Sequence, residues 1–288
     1  MKKILVPMDF SEKSLSAFRF ALDIAWQSDG TVCLLHVLTL PVIHDSLLMP
    51  VAGLKKNLID ELKAVAEKKF IALNREFNTR KQLVETKVIV SDRIHATILD
   101  FLKKEKTDLV IMGTRGTSGV RELIIGSNTE RMVRTSPAPV IAVKQYVPVR
   151  SIKDIVFPKA PDIENQEDLV MKIKALQDLF KATLHIIWVN TPALHRSEQE
   201  VRKKLSAFAE RYMLKNYTIN VFKYSNEETG ILEFTKQIKG DLIAMGTHGL
   251  TGIAHLMSGS VAEDIVNHVR YPVWTYCTRS GKNLETQM

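Results

Sequence analysis

Two sets of glycine and hydroxyl residues recur in this sequence at the same spacing and could bind phosphate. Each set has a glycine, a second glycine three residues later, and a Gly-Ser pair that begins ten residues after the second glycine. The backbone of glycine can approach a ligand closely and adopt positive φ. In each set the serine precedes a glutamate by three residues, which predicts a capping box at the start of a helix, where unpaired N–H groups favour anions. The sets are Gly113, Gly116, Gly126 and Ser127, and Gly246, Gly249, Gly259 and Ser260.

The same residues have a second interpretation, in which the glycines form turns and the serines cap helices without a ligand. Neither set is a Walker loop, because G-x-x-x-x-G-K-[ST] is absent from the sequence, and neither is the G-x-G-x-x-G of a dinucleotide site. The eight histidines are scattered, with no H-E-x-x-H pair and no G-x-S-x-G elbow. These residues therefore favour the binding of a phosphate-bearing ligand over acid–base or metal catalysis.

An internal repeat determines which elements position these residues. DLVIMGTRG at 108–116 matches DLIAMGTHG at 241–249, and KKILVPMD at 2–9 resembles KDIVFPKA at 153–160. The later match has an offset of 133 residues and the earlier match one of 151 residues. The first copy is therefore longer by about eighteen residues, which we place within 40–62. They could form a lid over the site or a surface decoration. We predict two copies of one domain, 1–147 and 148–288.

Within each copy, short apolar runs alternate with helical patterns. In the first copy the runs ILVP, TVCLLHV, VETKVIV, DLVIMG and PVIAVK favour strands buried on both faces, and 11–27, 54–77 and 94–105 favour helices. This alternation predicts an α/β fold with a doubly wound parallel sheet in each copy. Such sheets bind ligands beyond the carboxyl ends of their strands, where the strand order reverses.

Composition excludes several classes of protein. The 288 residues are 45% hydrophobic and 25% charged, which is typical of globular domains and not of disordered or fibrous chains. No apolar run is long enough to span a membrane, and two cysteines indicate a reducing compartment, so we expect a cytoplasmic protein. The net charge of +8 favours an anionic ligand or simply a solvated surface. Nucleic acid is an unlikely partner, because the lysines are not interleaved with aromatic residues.

The motif G-x2-G-x9-G-[ST], after a strand ending in Met and before a helix, resembles the ATP-binding motif of the universal stress protein family. The opening ILVPMDFSEKS, the strand TVCLLHV and the segment SPAPVIAVK also resemble that family. The resemblance covers nearly all of 1–145 and, with weaker agreement, 152–278, as in members with two domains in one chain. It implies a five-stranded, Rossmann-like sheet of the adenine-nucleotide alpha-hydrolase type in each copy. It also implies that the last strands of the two copies pair.

The resemblance implies a role for each matching residue. In the first copy Asp9 would contact the nucleoside, while Arg115 could reach a terminal phosphate. Asp9 could instead stabilise the amino end of the helix that starts at Ser11, with no ligand role. In the second copy Ala160 stands in place of Asp9, so we expect weak or altered binding there. The full set of implied binding residues is Pro7, Asp9, Val37, Met112, Gly113, Arg115, Gly116, Gly126, Ser127 and Asn128, then Met245, Gly246, Gly249, Gly259, Ser260 and Val261.

The resulting hypothesis is a tandem universal stress protein that binds ATP or a related adenine nucleotide, with or without Mg²⁺, and acts as a stress-response regulator or sensor. One alternative is a slow ATPase or nucleotidyl-transferring enzyme. Another is a protein-interaction module with degenerate nucleotide sites. The expected partners are the nucleotide and unknown regulatory proteins. The two copies are expected to pair within the chain, and a homodimer of chains is left open.

Overall fold

The computed structural model describes residues 1–40, 51–77, 83–114, 126–161, 166–247, 262, 265–266 and 269–278. The first half contains β1 (Lys3–Pro7), α1 (Glu12–Ser28), β2 (Thr31–Leu38), α2 (Val51–Glu76), β3 (Val84–Val90), α3 (Ile94–Glu105), β4 (Leu109–Gly113), α4 (Ser127–Thr135) and β5 (Val140–Val143). The second half contains β6 (Asp154–Pro158), α5 (Glu167–Phe180), β7 (Thr183–Asn190), α6 (Glu198–Arg211), β8 (Tyr217–Lys223), α7 (Glu227–Gln237), β9 (Leu242–Thr247) and β10 (Val273–Cys277). A 3-10 turn at Val149–Ser151 lies between the halves.

All ten strands form one sheet, in the order β3-β2-β1-β4-β5-β10-β9-β6-β7-β8. The strands are parallel within each half, whereas β5 and β10 pair antiparallel, with Trp274 opposite Ile141. Each half is thus a doubly wound five-stranded parallel sheet, which confirms the predicted fold class. The last strands of the two halves pair within the chain, as the resemblance implies.

The predicted burial of the strands is correct only at the centre of the sheet. β4 and β5 are buried almost throughout, but β3 exposes Glu85, Thr86 and Lys87. β3 is an edge strand that pairs on one side only, with β2, so charged side chains are tolerated there. The prediction that this run is buried on both faces is therefore wrong.

The extra residues of the first half are largely helical. α2 has 26 residues, and its counterpart α6 has 14, so α2 is longer by three turns. Residues 41–50 lie outside the described residues. The remainder of the predicted segment, 51–62, belongs to the first half of α2.

The core joins the two halves. A single apolar cluster on the α1 and α5 face of the sheet runs from Phe18 and Ile141 in the first half to Phe180 and Trp274 in the second. Trp274, on β10, is fully buried at the junction. Burial of large side chains is the main favourable term in folding, so the junction stabilises both halves together.

Candidate functional site

The strand order of the first half reverses between β1 and β4, and a cavity of about 510 Å³ opens beyond their carboxyl ends. This is the point at which doubly wound sheets bind ligands. The carboxyl ends of β1, β2 and β4 form the floor of the cavity, α3 contributes apolar side chains, and the first turns of α1 and α4 contribute polar groups. The lining residues are Pro7, Met8, Asp9, Ser11, Lys13, Ser14, Leu35, His36, Val37, Ile94, Ile98, Met112, Gly113, Gly126, Ser127, Asn128 and Thr129.

The structure brings together most of the residues that the sequence implied for the first site. The ends of three strands and the start of α4 contribute them to one cavity: Pro7, Asp9, Val37, Met112, Gly113, Gly126, Ser127 and Asn128. The other two, Arg115 and Gly116, lie outside the described residues.

Asp9 is an exposed carboxylate held at the start of α1. Its Oδ1 accepts hydrogen bonds from the backbone amide of Ser11 at 3.0 Å and from the Ser11 hydroxyl at 2.6 Å. Burial raises the pKa of Asp9, but these hydrogen bonds lower it by more, and the net pKa lies below its ordinary value. The N-cap of α1 is Ser11 itself, whose side chain accepts from the amide of Ser14. Asp9 therefore orients the capping residue and presents a negative charge to the cavity.

Gly113, the last residue of β4, lies directly against the backbone of α1. A Cβ atom built there would fall 2.4 Å from the carbonyl carbon and oxygen of Lys13. Thr129 of α4 donates from its hydroxyl to the Gly113 carbonyl at 3.2 Å. The glycine is thus required by the close packing of β4, α1 and α4 around the cavity, whether or not it also contacts a ligand.

Gly126 differs, because the packing of the described residues does not require a glycine there. It is the N-cap of α4 with φ of −59°, and no described atom lies within 4 Å of a Cβ built on it. Gly126 also lines the cavity.

The predicted capping box at Ser127 and Glu130 is wrong. The helix begins at Ser127, one residue earlier than that motif requires, and its N-cap is Gly126, with no side-chain capping hydrogen bond. The amide of Thr129 bonds back to the Gly126 carbonyl at 2.8 Å, while helix geometry gives the first amides, those of Ser127 and Asn128, no intrahelical acceptor. These two N–H groups and the exposed Ser127 hydroxyl are available to an anion in the cavity.

Sequence reasoning missed His36 and Lys13. The Nδ1 atom of His36 lies 2.7 Å from the Met8 carbonyl, and since a carbonyl only accepts, Nδ1 carries the proton. Its ring packs 5.0 Å from that of Phe10. His36 precedes Val37, and Lys13 lies near Asp9 at the start of α1, so proximity to the predicted residues was the only available signal.

Comparisons with known proteins agree with this architecture. The model of the universal stress protein family matches residues 1–144 and 173–276. The chain belongs to the universal stress protein family. A universal stress protein of Methanocaldococcus jannaschii is 34% identical over 155 residues, which is 50% of this chain and 95% of that protein. One of Synechocystis is 25% identical over 297 residues, 96% of this chain and all of that protein.

Solved structures show the same fold. The crystal structure of a universal stress protein from Archaeoglobus fulgidus superposes with a TM-score of 0.70 and 20% identity, covering 97% of each chain. Within the described residues, no helix is long and apolar enough to cross a membrane. The same part of the chain holds no group of three or more metal-ligating side chains.

The second half of this universal stress protein retains the motif residues on its fourth strand, β9, but differs from the first half at other positions of the same sheet edge. Met245 and Gly246 lie on β9, and a Cβ at Gly246 would meet Leu169 Cδ2 at 2.8 Å. The implied residues Gly249, Gly259, Ser260 and Val261 lie outside the described residues. Ala160, in the place of Asp9, is buried.

Two ionisable side chains stand where the first half has apolar cavity residues. Lys159, in the place of Met8, is buried with its Nζ 4.7 Å from the centre of the Phe208 ring. Glu227, the first residue of α7, corresponds to Ile94, the first residue of α3. Burial raises the pKa of Glu227 to about 7. The carboxyl edge of the second half therefore differs chemically from that of the first.

Proposed function

We propose that this chain binds ATP or a related adenine nucleotide in the cavity of its first half and acts as a nucleotide-dependent regulator of a stress response. The observation that carries the proposal is Gly126. Gly126 lines the cavity, and no described atom lies within 4 Å of a Cβ built on it, so the packing of the described residues does not require glycine there. A ligand that packs against the start of α4 would require glycine at this position, because only glycine lets the backbone approach a ligand so closely.

The neighbouring groups suit the two ends of a nucleotide. The amides of Ser127 and Asn128, at the amino end of α4, would hold phosphate oxygens. The carboxylate of Asp9, whose lowered pKa keeps it ionised at neutral pH, would accept hydrogen bonds from ribose hydroxyls. Val37 and Ile94 give an apolar surface of the kind that binds a base.

Several parts of the proposal rest on the family resemblance alone. These are the roles of Arg115 and Gly116, a second nucleotide site around Met245 and Gly246 with Gly249, Gly259, Ser260 and Val261, and an accompanying Mg²⁺. The regulatory role and the unidentified protein partners have the same basis. A cytoplasmic location is also part of the proposal, and neither Cys33 nor Cys277 forms a disulfide in the structure.

The test is to purify the chain without added nucleotide, denature it, identify the released small molecules by mass spectrometry, and then titrate the emptied protein with ATP by calorimetry. We expect an adenine nucleotide in the purified protein or binding of added ATP. Gly126→Val should weaken that binding at least about tenfold and lower the melting temperature only slightly, since its side chain meets no described atom but valine is a poorer N-cap than glycine.

Gly113→Ala is the contrasting variant, because there the collision with Lys13 affects the fold as well as the site. If the protein releases no nucleotide and millimolar ATP gives no binding heat, the proposal is wrong. It is also wrong if Gly126→Val binds ATP as tightly as the parent chain.

A further inference from the structure

The antiparallel junction brings a cation of the second half to the carboxyl edge of the first. In the β5–β10 ladder Val273 pairs with Ala142. Continuing this register beyond the strands sets Lys144, which follows β5, opposite Tyr271, the residue next to Arg270. The segment that enters β10 therefore lies beside the segment that leaves β5.

This place adjoins the phosphate side of the cavity. Gly113 pairs with Val143, and the amide of Thr114 donates to the Val143 carbonyl at 3.0 Å, so Lys144 follows directly beyond the end of β4. Lys13, whose backbone contacts Gly113, lines the cavity from the α1 side. Three cations thus gather around the end of β4.

The charges are close enough to affect one another. Partial burial lowers the pKa of Lys144, and the charges of Arg270 and Lys13 lower it further. Gathering like charges in a partly buried place costs free energy, and a multiply charged anion bound among them offsets that cost.

The second half has no equivalent group. By the offsets of the repeat, Lys144 corresponds to Cys277, Arg270 to Pro137 and Lys13 to Glu164. The positive charge is therefore specific to the first half, and one of its three members comes from the other half of the chain.

We infer that Arg270, together with Lys13 and Lys144, binds the polyphosphate of the nucleotide held in the first half and selects a triphosphate over a monophosphate. The inference rests on the proposed function and adds to it the specificity of the site and the contribution of the second half. Arg270 is exposed, so its guanidinium can turn toward a phosphate without a change of fold.

The test compares the dissociation constants of ATP, ADP and AMP by calorimetry at low salt for the full chain and its variants. For Arg270→Gln we expect ATP to bind about three- to tenfold more weakly and AMP to bind unchanged, with ADP between them. Arg270→Lys should recover much of the loss. Arg150→Gln is the matched control, since Arg150 is an exposed arginine beside Asp23 and Trp26, away from the cavity.

The outcomes separate this inference from the proposed function. If the parent chain binds ATP but Arg270→Gln preserves its ratio of ATP to AMP affinity, the inference is overturned and the proposed function stands. An equal loss for ATP and AMP would indicate a general effect of the substitution on the fold and would also overturn it. Absence of any nucleotide binding by the parent chain overturns both.

Discussion

The hydroxyl of Thr247 donates a hydrogen bond of 3.3 Å to the carbonyl of Val133, across the junction between the two halves. Thr247 is the last residue of β9, and Val133 lies in α4, whose first turn lines the cavity of the first half. The helix that faces the candidate phosphate site is therefore held in part by the second half of the chain.

Replacing Thr247 by valine should lower the free energy of unfolding by about 1 kcal/mol, because the buried Val133 carbonyl loses its donor while the shape of the side chain is retained. Thr247→Ser, which keeps the hydroxyl, should lose less of the hydrogen-bond contribution. Urea denaturation measures both changes. Equal stability of the valine variant and the parent chain would show that this hydrogen bond contributes nothing.

The two equivalent glycines at the ends of β4 and β9 should differ in their tolerance of a methyl group. Gly113→Ala should cost about 2–3 kcal/mol, since its Cβ meets the backbone of Lys13, which cannot move without α1. Gly246→Ala should cost about 1 kcal/mol or less, because the atom it meets is the end of the Leu169 side chain. Thermal melts of the two variants give the comparison, and a larger loss for Gly246→Ala would contradict it.

The partly buried carboxyl group of Glu227 should make stability depend on pH. Its pKa is raised to about 7 in the folded protein, so between the ordinary glutamate pKa and 7 the unfolded chain releases a proton that the folded chain retains. Stability therefore falls as the pH rises through this range, and the cost is complete above pH 7.

Glu227→Gln should consequently raise the free energy of unfolding by about 1–2 kcal/mol at pH 8 and leave it nearly unchanged at pH 4. The measurement is a series of thermal melts across that range, with Glu61→Gln, an exposed glutamate of α2, as the control. A pH-independent effect of Glu227→Gln would show that the group is not desolvated in the folded state.

The sequence predicted the fold because repeated apolar runs and repeated glycine spacing are local signals. β3 was predicted to span Val84–Val90, and those are its bounds in the structure. The burial of β3 could not be read from its sequence, because an edge position depends on strand order, which is a property of the whole sheet. The capping of α4 was mispredicted for a local reason, since the first helical residue and the N-cap are one position apart and Ser is common at both.

The sequence predicted those residues of the candidate site that belong to a recognisable motif, and it missed those that do not. Gly126 and Asp9 are separated by more than a hundred residues, but both match the family's pattern, so the resemblance linked them. Arg270 belongs to no motif and reaches the first half only through the register of β5 and β10. No pattern in the sequence fixes that register.

The pairing of β5 with β10 also determines how two copies of this chain can associate. Joining the last strands within one molecule uses up both of the edges through which separate single domains could pair, so the free edges of the sheet are β3 and β8. The charged residues of β3 disfavour strand addition there. The relative position of the carboxyl edges of the two halves is therefore set within each molecule, independent of protein concentration.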